Sequence, residues 1–112
     1  MLVTVAIDDT AAVLTPPGDI DADALPGLLA AARELPTSVT RVTWDLRHVA
    51  FMDAAGLRLL TGQRQDCRTA GRTLTVTGLG RQPLRLLDLA AQCVPDGLWE
   101  DFRRSAAPTN AA

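Results

Sequence analysis

Val3, Val5 and Ile7 alternate with Leu2, Thr4 and Ala6, the period-two pattern of a half-buried strand. Asp8-Asp9-Thr10 supplies turn chemistry before Ala12-Val13-Leu14-Thr15, so an antiparallel hairpin is expected to open the domain. Pro16-Pro17-Gly18 ends the second strand, because consecutive prolines remove ladder donors. Ala24, Leu25, Leu28, Leu29, Ala32 and Leu35 then recur at helical spacing, with Asp21 or Asp23 as a cap and Pro26 in the first turn, where its missing N–H costs no helical bond. After Pro36 the period returns to two, with Val42, Trp44 and Leu46 against Arg41, Thr43 and Asp45. A helix follows from Ala54 to about Thr69, with Leu59, Leu60, Gln63, Cys67 and Ala70 on one face and Arg58, Thr61, Gly62, Gln65 and Thr69 on the other. Gly71 stops it, and Leu74 and Val76 mark a fourth strand. Pro83 lies at the start of a third helix through Leu84, Leu87 and Ala91, and a short last helix is expected from Pro95 to about Arg104.

The predicted order is strand, strand, helix, strand, helix, strand, helix, helix. Strands separated by helices need crossovers, which gives an α/β domain with a mixed four-stranded sheet, an antiparallel N-terminal hairpin and helices packed against it. The domain is expected over 1–104, with 105–112 a flexible tail that has little to bury. A length of 112 residues with 47% hydrophobic positions supports one core. The apolar runs fall short of the ~20 residues a bilayer span needs, and no basic leader precedes the first strand, so a cytoplasmic protein without membrane insertion is expected. The net charge of −2 argues against a nucleic-acid partner. Cys67 and Cys93 show neither CxxC nor Cys/His spacing and read as buried small hydrophobes; no metal site is indicated.

Two short segments carry more specific information. Gly18-Asp19-Ile20-Asp21, and Trp44-Asp45-Leu46 followed by Phe51-Met52-Asp53-Ala54-Ala55-Gly56-Leu57, together resemble the STAS family of bacterial anti-sigma-factor antagonists. In that family the first motif runs Gly-Glu-Leu/Ile-Asp and the second runs Asp-Leu, a spacer, then Phe-x-Asp-Ser-Ser/Thr-Gly-Leu. The resemblance spans about residues 2 to 103. It implies a regulatory module that binds a serine-kinase-type anti-sigma factor, a histidine-kinase-like ATPase, through the start of the second helix, and that is released when the first Ser of the motif is phosphorylated. Here Ala54 holds that acceptor position and Ala55 the second hydroxyl position, so the phosphoacceptor is lost. The partner-binding residues implied are Asp21, Asp53, Ala54, Ala55, Gly56, Leu57 and Arg58.

These residues also have plain structural readings. Asp53 before Ala54-Ala55 reads as a helix N-cap, Gly18 to Asp21 as a turn and cap, and Arg58, Gln65 and Arg68 as a solvated face. His48 is the only histidine, and no Ser/His/Asp or Cys/His constellation is recognisable. Neither a GxxxxGK[ST] loop nor a strand-linked GxGxxG is present, so no cofactor or bound nucleotide is expected. Two other functions stay open on the sequence: an accessory subunit on the cytoplasmic side of a membrane transporter, and a small-ligand sensor.

Overall fold

The expected hairpin forms between β1 (Thr4–Asp8) and β2 (Ala11–Thr15), which pair antiparallel from Thr4↔Thr15 to Asp8↔Ala11. The two-residue connection places Asp9 at φ 58°, a left-handed conformation that Asp adopts more readily than most residues. β3 (Arg41–Asp45) adds parallel to β2, and β4 (Thr73–Thr77) adds parallel to β3, giving the order β1-β2-β3-β4. The structure is a computed structural model, and it describes residues 3–93 and Phe102.

The register fixes one core face. Val5 and Ile7 stand opposite Leu14 and Ala12, which stand opposite Trp44 and Val42, which stand opposite Val76 and Leu74. Ala12, Leu14, Val42, Trp44 and Val76 on that face are buried in a core that also takes Leu28 of α1 (Leu25–Arg33), Leu59 and Leu60 of α2 (Ala54–Ala70) and Leu87 of α3 (Arg81–Cys93). The opposite face, rich in Thr, is exposed or half-buried except at Asp45. Asp45 is buried with its charge paired to Arg47, whose Nε and Nη2 both lie 2.7 Å from Oδ2. Gly78 closes over this pair at φ 72°; a Cβ there would lie 2.8 Å from both Arg47 N and Asp45 Oδ1.

The first strand departs from the pattern-based expectation. Val5 and Ile7 point to the core side, yet they remain 39% and 48% exposed on β1, which is an edge strand of the sheet. The period of two reported the strand and its face correctly but not its depth. Cys67 is buried as expected, whereas Cys93 is exposed at the end of α3, a correction that follows from its place beyond the last core position of that helix, Leu87. Ala70 is likewise exposed in the last turn of α2 although it shares the Leu60–Cys67 side. The expected final helix from Pro95 and the tail 105–112 lie outside the described residues except for Phe102, which is helical and buried in the core.

Candidate functional site

The two motifs meet in space through backbone bonds. Ile20 and Met52 form an isolated parallel bridge: Ile20 N–H donates to Phe51 O at 3.1 Å, and Asp53 N–H donates to Ile20 O at 3.2 Å. Side chains reinforce this crossing on both sides. Asp19 Oδ1 accepts from Phe51 N–H at 3.1 Å. The Gln82 amide takes both polar groups of Met52, accepting from its N–H and donating to its carbonyl, each at 2.9 Å. Met52 is fully buried, so this clamp satisfies two main-chain groups that would otherwise be stranded.

Asp21 and Asp53 flank the bridge in register and each caps the chain that follows. Asp21 Oδ1 accepts from Ala24 N–H at 2.9 Å, ahead of α1, whose own N-cap Ala24 supplies no side-chain bond. Of the two expected caps, Asp21 is therefore the one in use. Asp53 is the N-cap of α2, and its Oδ1 accepts from Ala55 N–H at 2.8 Å, an arrangement generally worth about 0.5–2 kcal/mol. In both carboxylates Oδ2 has no protein donor among the described residues.

The start of α2 divides into an inner and an outer set. Ala55 and Gly56 are buried, and a Cβ on Gly56 would sit 2.8 Å from Met52 Cβ and Cγ, so glycine is required for the helix to approach this close. These two residues position the helix and offer almost no surface. Ala54 and Arg58 are exposed, Leu57 is half-buried, and Phe51 is 48% exposed immediately before the helix. The resulting surface carries a short apolar strip, Phe51, Ala54 and Leu57 at three-residue spacing, with Asp53 next to Ala54 in the chain, Asp21 opposite Asp53 in the register of the bridge, and Arg58 one residue beyond Leu57. Neither position 54 nor 55 carries a hydroxyl. The sequence motifs located this surface, but Gln82 and Asp19 were not singled out as supports: a glutamine in a first helical turn has no local signature for a partner 30 residues earlier.

His48 is exposed and lines an open cavity with Thr4, Thr15, Pro17, Asp45 and Arg47, where the Asp45 carboxylate is already engaged by Arg47. Among the described residues, no group of three or more His, Cys, Asp or Glu side chains is arranged to hold a metal, and no helix is long and apolar enough to cross a membrane.

A mixed four-stranded sheet led by an antiparallel hairpin, with helices on one face and a helix N-terminus stitched to the β2–α1 loop, defines a STAS-type α/β fold. The family model described as "Mlab, STAS domain" matches residues 3–91, and the chain belongs to that STAS family, whose members are generally non-catalytic regulatory modules. Among solved structures, the anti-sigma factor antagonist SpoIIAA in its unphosphorylated form superposes with a TM-score of 0.67 at 16% identity, over 80% of this chain and 81% of that one. The phosphorylated form of SpoIIAA from Bacillus gives 0.64 at 17% identity, over 88% and 87%. The STAS domain of a SulP transporter from Vibrio cholerae gives 0.60 at 16% identity, over 90% and 75%. At these identities the structures share the fold. No curated protein matches the sequence significantly.

Proposed function

We propose that the domain is a non-enzymatic regulatory module that docks a kinase-type anti-sigma factor on the strip Phe51, Ala54 and Leu57, and that it does so without the phosphate switch. The observation that carries this reading is the combination at the start of α2: apolar side chains, exposed at Phe51 and Ala54 and half-buried at Leu57, on a doubly stitched support, and no hydroxyl at either position of the motif's Ser pair. Aromatic and aliphatic groups on a rigid element form efficient contacts because little motion is lost on binding. The unpaired Oδ2 atoms of Asp21 and Asp53 are acceptors for basic groups of the partner at the rim, and Arg58 is a donor for an acidic one.

Loss of the acceptor has a direct electrostatic consequence. A phosphoserine adds about −1.5 to −2 charges and three acceptor oxygens, and beside Asp21 and Asp53 such a group would repel an otherwise apolar contact. Alanine at 54 keeps the surface in its neutral form. In this reading ATP belongs to the partner.

The test is incubation of the wild type, Ala54→Ser and the Ala54→Ser/Ala55→Ser double variant with ATP and the histidine-kinase-like ATPase encoded nearest to the gene, followed by mass spectrometry. Wild type is expected to bind and stay unmodified, and phosphate is expected only on a serine introduced at 54. Phosphate on any wild-type hydroxyl, such as Thr61 or Ser38, refutes the lost switch. Selective co-purification with a transporter permease and its ATPase, without binding to the kinase, would assign the domain to the accessory-subunit role instead.

A further inference from the structure

The far ends of α1 and α2 frame a second feature, separate from the docking surface. A groove of about 410 Å³ opens there, walled by Leu35, Val42, Gln63 and Cys67, with Arg33 and Arg72 also on its lining. Gln63 lies ten residues along α2 from Asp53, roughly 15 Å along the helix axis, so the groove does not share residues with the strip proposed to bind a partner.

Gln63 makes the groove unusual. It is only 3% exposed, and its Oε1 accepts from the Trp44 indole N–H at 3.1 Å. An indole nitrogen can only donate, which fixes the amide orientation and directs the oxygen to Trp44. The two N–H bonds of the Gln63 amide then have no acceptor among the described residues. Buried donors are paired, with protein or with ordered water, in the great majority of cases, so a donor left over at the wall of a groove is available to an acceptor that enters it.

The charges indicate what kind. Arg33 has no protein partner among the described residues. Arg72 is held in place by its Nε and Nη2, which donate at 2.8 Å to the carbonyls of Val39 and Pro36 respectively, both uncharged acceptors. Asp66 lines the same groove, which leaves two guanidinium groups against one carboxylate. The walls between them are apolar: Ala32, Leu35 and Val42 belong to the core, and burial pushes the Cys67 thiol up from its ordinary value, so it stays neutral. A volume of this size is in the range of small-molecule sites, about 300–1,000 Å³.

We propose that this groove binds a small aliphatic monocarboxylate. A carboxylate oxygen accepts from the free Gln63 amide, the negative charge faces Arg33 and Arg72, and the hydrocarbon chain lies against Leu35, Val42 and Cys67. No covalent step is involved.

The probes are octanoate and octan-1-ol, each titrated into the ¹⁵N-labelled full chain and followed by two-dimensional NMR. Octanoate is expected to shift the Gln63 side-chain amide and the Trp44 indole signals saturably, with Kd below about 1 mM, and octanol to bind at least about tenfold more weakly. Arg33→Gln changes an exposed residue, so folding is preserved; it is expected to weaken octanoate about tenfold and to leave octanol unchanged. Gln63→Glu keeps an acceptor for Trp44 but sets carboxylate against carboxylate, and it is expected to abolish octanoate binding. The proposal is overturned if octanoate produces no saturable shift up to about 10 mM, if octanol binds equally well, if Arg33→Gln leaves octanoate affinity unchanged, or if the shifts fall on the exposed β1 residues Val5 and Ile7 instead.

Discussion

Replacing Gln82 with alanine is expected to destabilise the domain by about 2–4 kcal/mol, although the residue lies 30 positions from the segment it supports. The clamp on Met52 consists of two bonds of 2.9 Å to the N–H and carbonyl of a residue with no solvent exposure. Leaving a buried main-chain group unsatisfied costs about 1–3 kcal/mol. Two groups would give the upper part of a range of about 2–6 kcal/mol if the site stayed dry, but Gln82 is half-buried, so water reaches part of the space it vacates and the lower half applies. Urea titration followed by Trp fluorescence reads this directly. With a slope of about 2 kcal/mol per molar, the middle of the range for a small domain, the midpoint should fall by roughly 1–2 M. Gln92→Ala, at an exposed position near the end of α3, should stay within about 0.5 kcal/mol of wild type. Gln82→Glu adds a sign test: near neutral pH its carboxylate accepts from Met52 N–H but opposes the carbonyl, and near its ordinary pKa of about 4.3 it regains a donor. Its deficit relative to wild type should therefore shrink on acidification. A Gln82→Ala midpoint indistinguishable from that of Gln92→Ala would refute the reasoning and show that the Ile20–Met52 bridge holds the segment alone.

Other consequences are as direct. Leu60→Ala removes a fully buried side chain of α2 and should cost about 2–5 kcal/mol, whereas Arg58→Ala on the exposed side should change urea stability by no more than about 0.5 kcal/mol; equal costs would mean the helix faces are reversed. Gly56→Ala brings a methyl to 2.8 Å from Met52 side-chain carbons and is expected to cost about 1–3 kcal/mol, so a neutral result in the same titration would refute the close approach. Cys93 is exposed and should react promptly with a disulfide reagent in the native protein, while Cys67 should react only on unfolding. Desolvation raises the folded-state pKa of Cys67 above its ordinary 9.0, with Arg72 opposing and Asp66 adding to the shift. The unfolded thiol therefore ionises first as pH rises, so Cys67→Ser should remove a loss of stability that wild type shows above pH 9.0.

The elements were legible because period and punctuation agreed along most of the chain. Trp44 alternates with polar neighbours in β3, Gly71 ends α2 at φ 72° with Arg72 N–H donating back to Cys67 O at 2.8 Å, and the α2 core face was readable as Leu59, Leu60, Gln63 and Cys67. Depth was less legible. Val5 and Ile7 have the hydrophobicity of buried residues, but whether a helix reaches over an edge strand depends on packing that no local pattern encodes. The surface proposed for docking was legible because its two motifs occur in order, and the backbone bonds between Ile20, Phe51 and Asp53 show that the folded chain brings them together. Its supports were hidden for the opposite reason: Asp19 and Gln82 act across 32 and 30 residues, and only the folded chain shows what they hold. The unpaired amide of Gln63 was hidden too, since a buried glutamine on a core face looks like a solved problem until its partner, Trp44, is seen to occupy the oxygen alone.

Affinity for the kinase-type partner, measured by calorimetric titration of wild type, Ala54→Ser and Ala54→Asp, tests the central claim most directly. A neutral hydroxyl at position 54 should bind nearly as wild type before ATP is added. An aspartate adds charge beside Asp53 and Asp21 in a contact that excludes water, and it should weaken binding by about 2–4 kcal/mol, or roughly 30- to 1,000-fold. Full affinity in Ala54→Asp, with the variant folded as wild type, would contradict the account by showing that the partner does not sit on the start of α2.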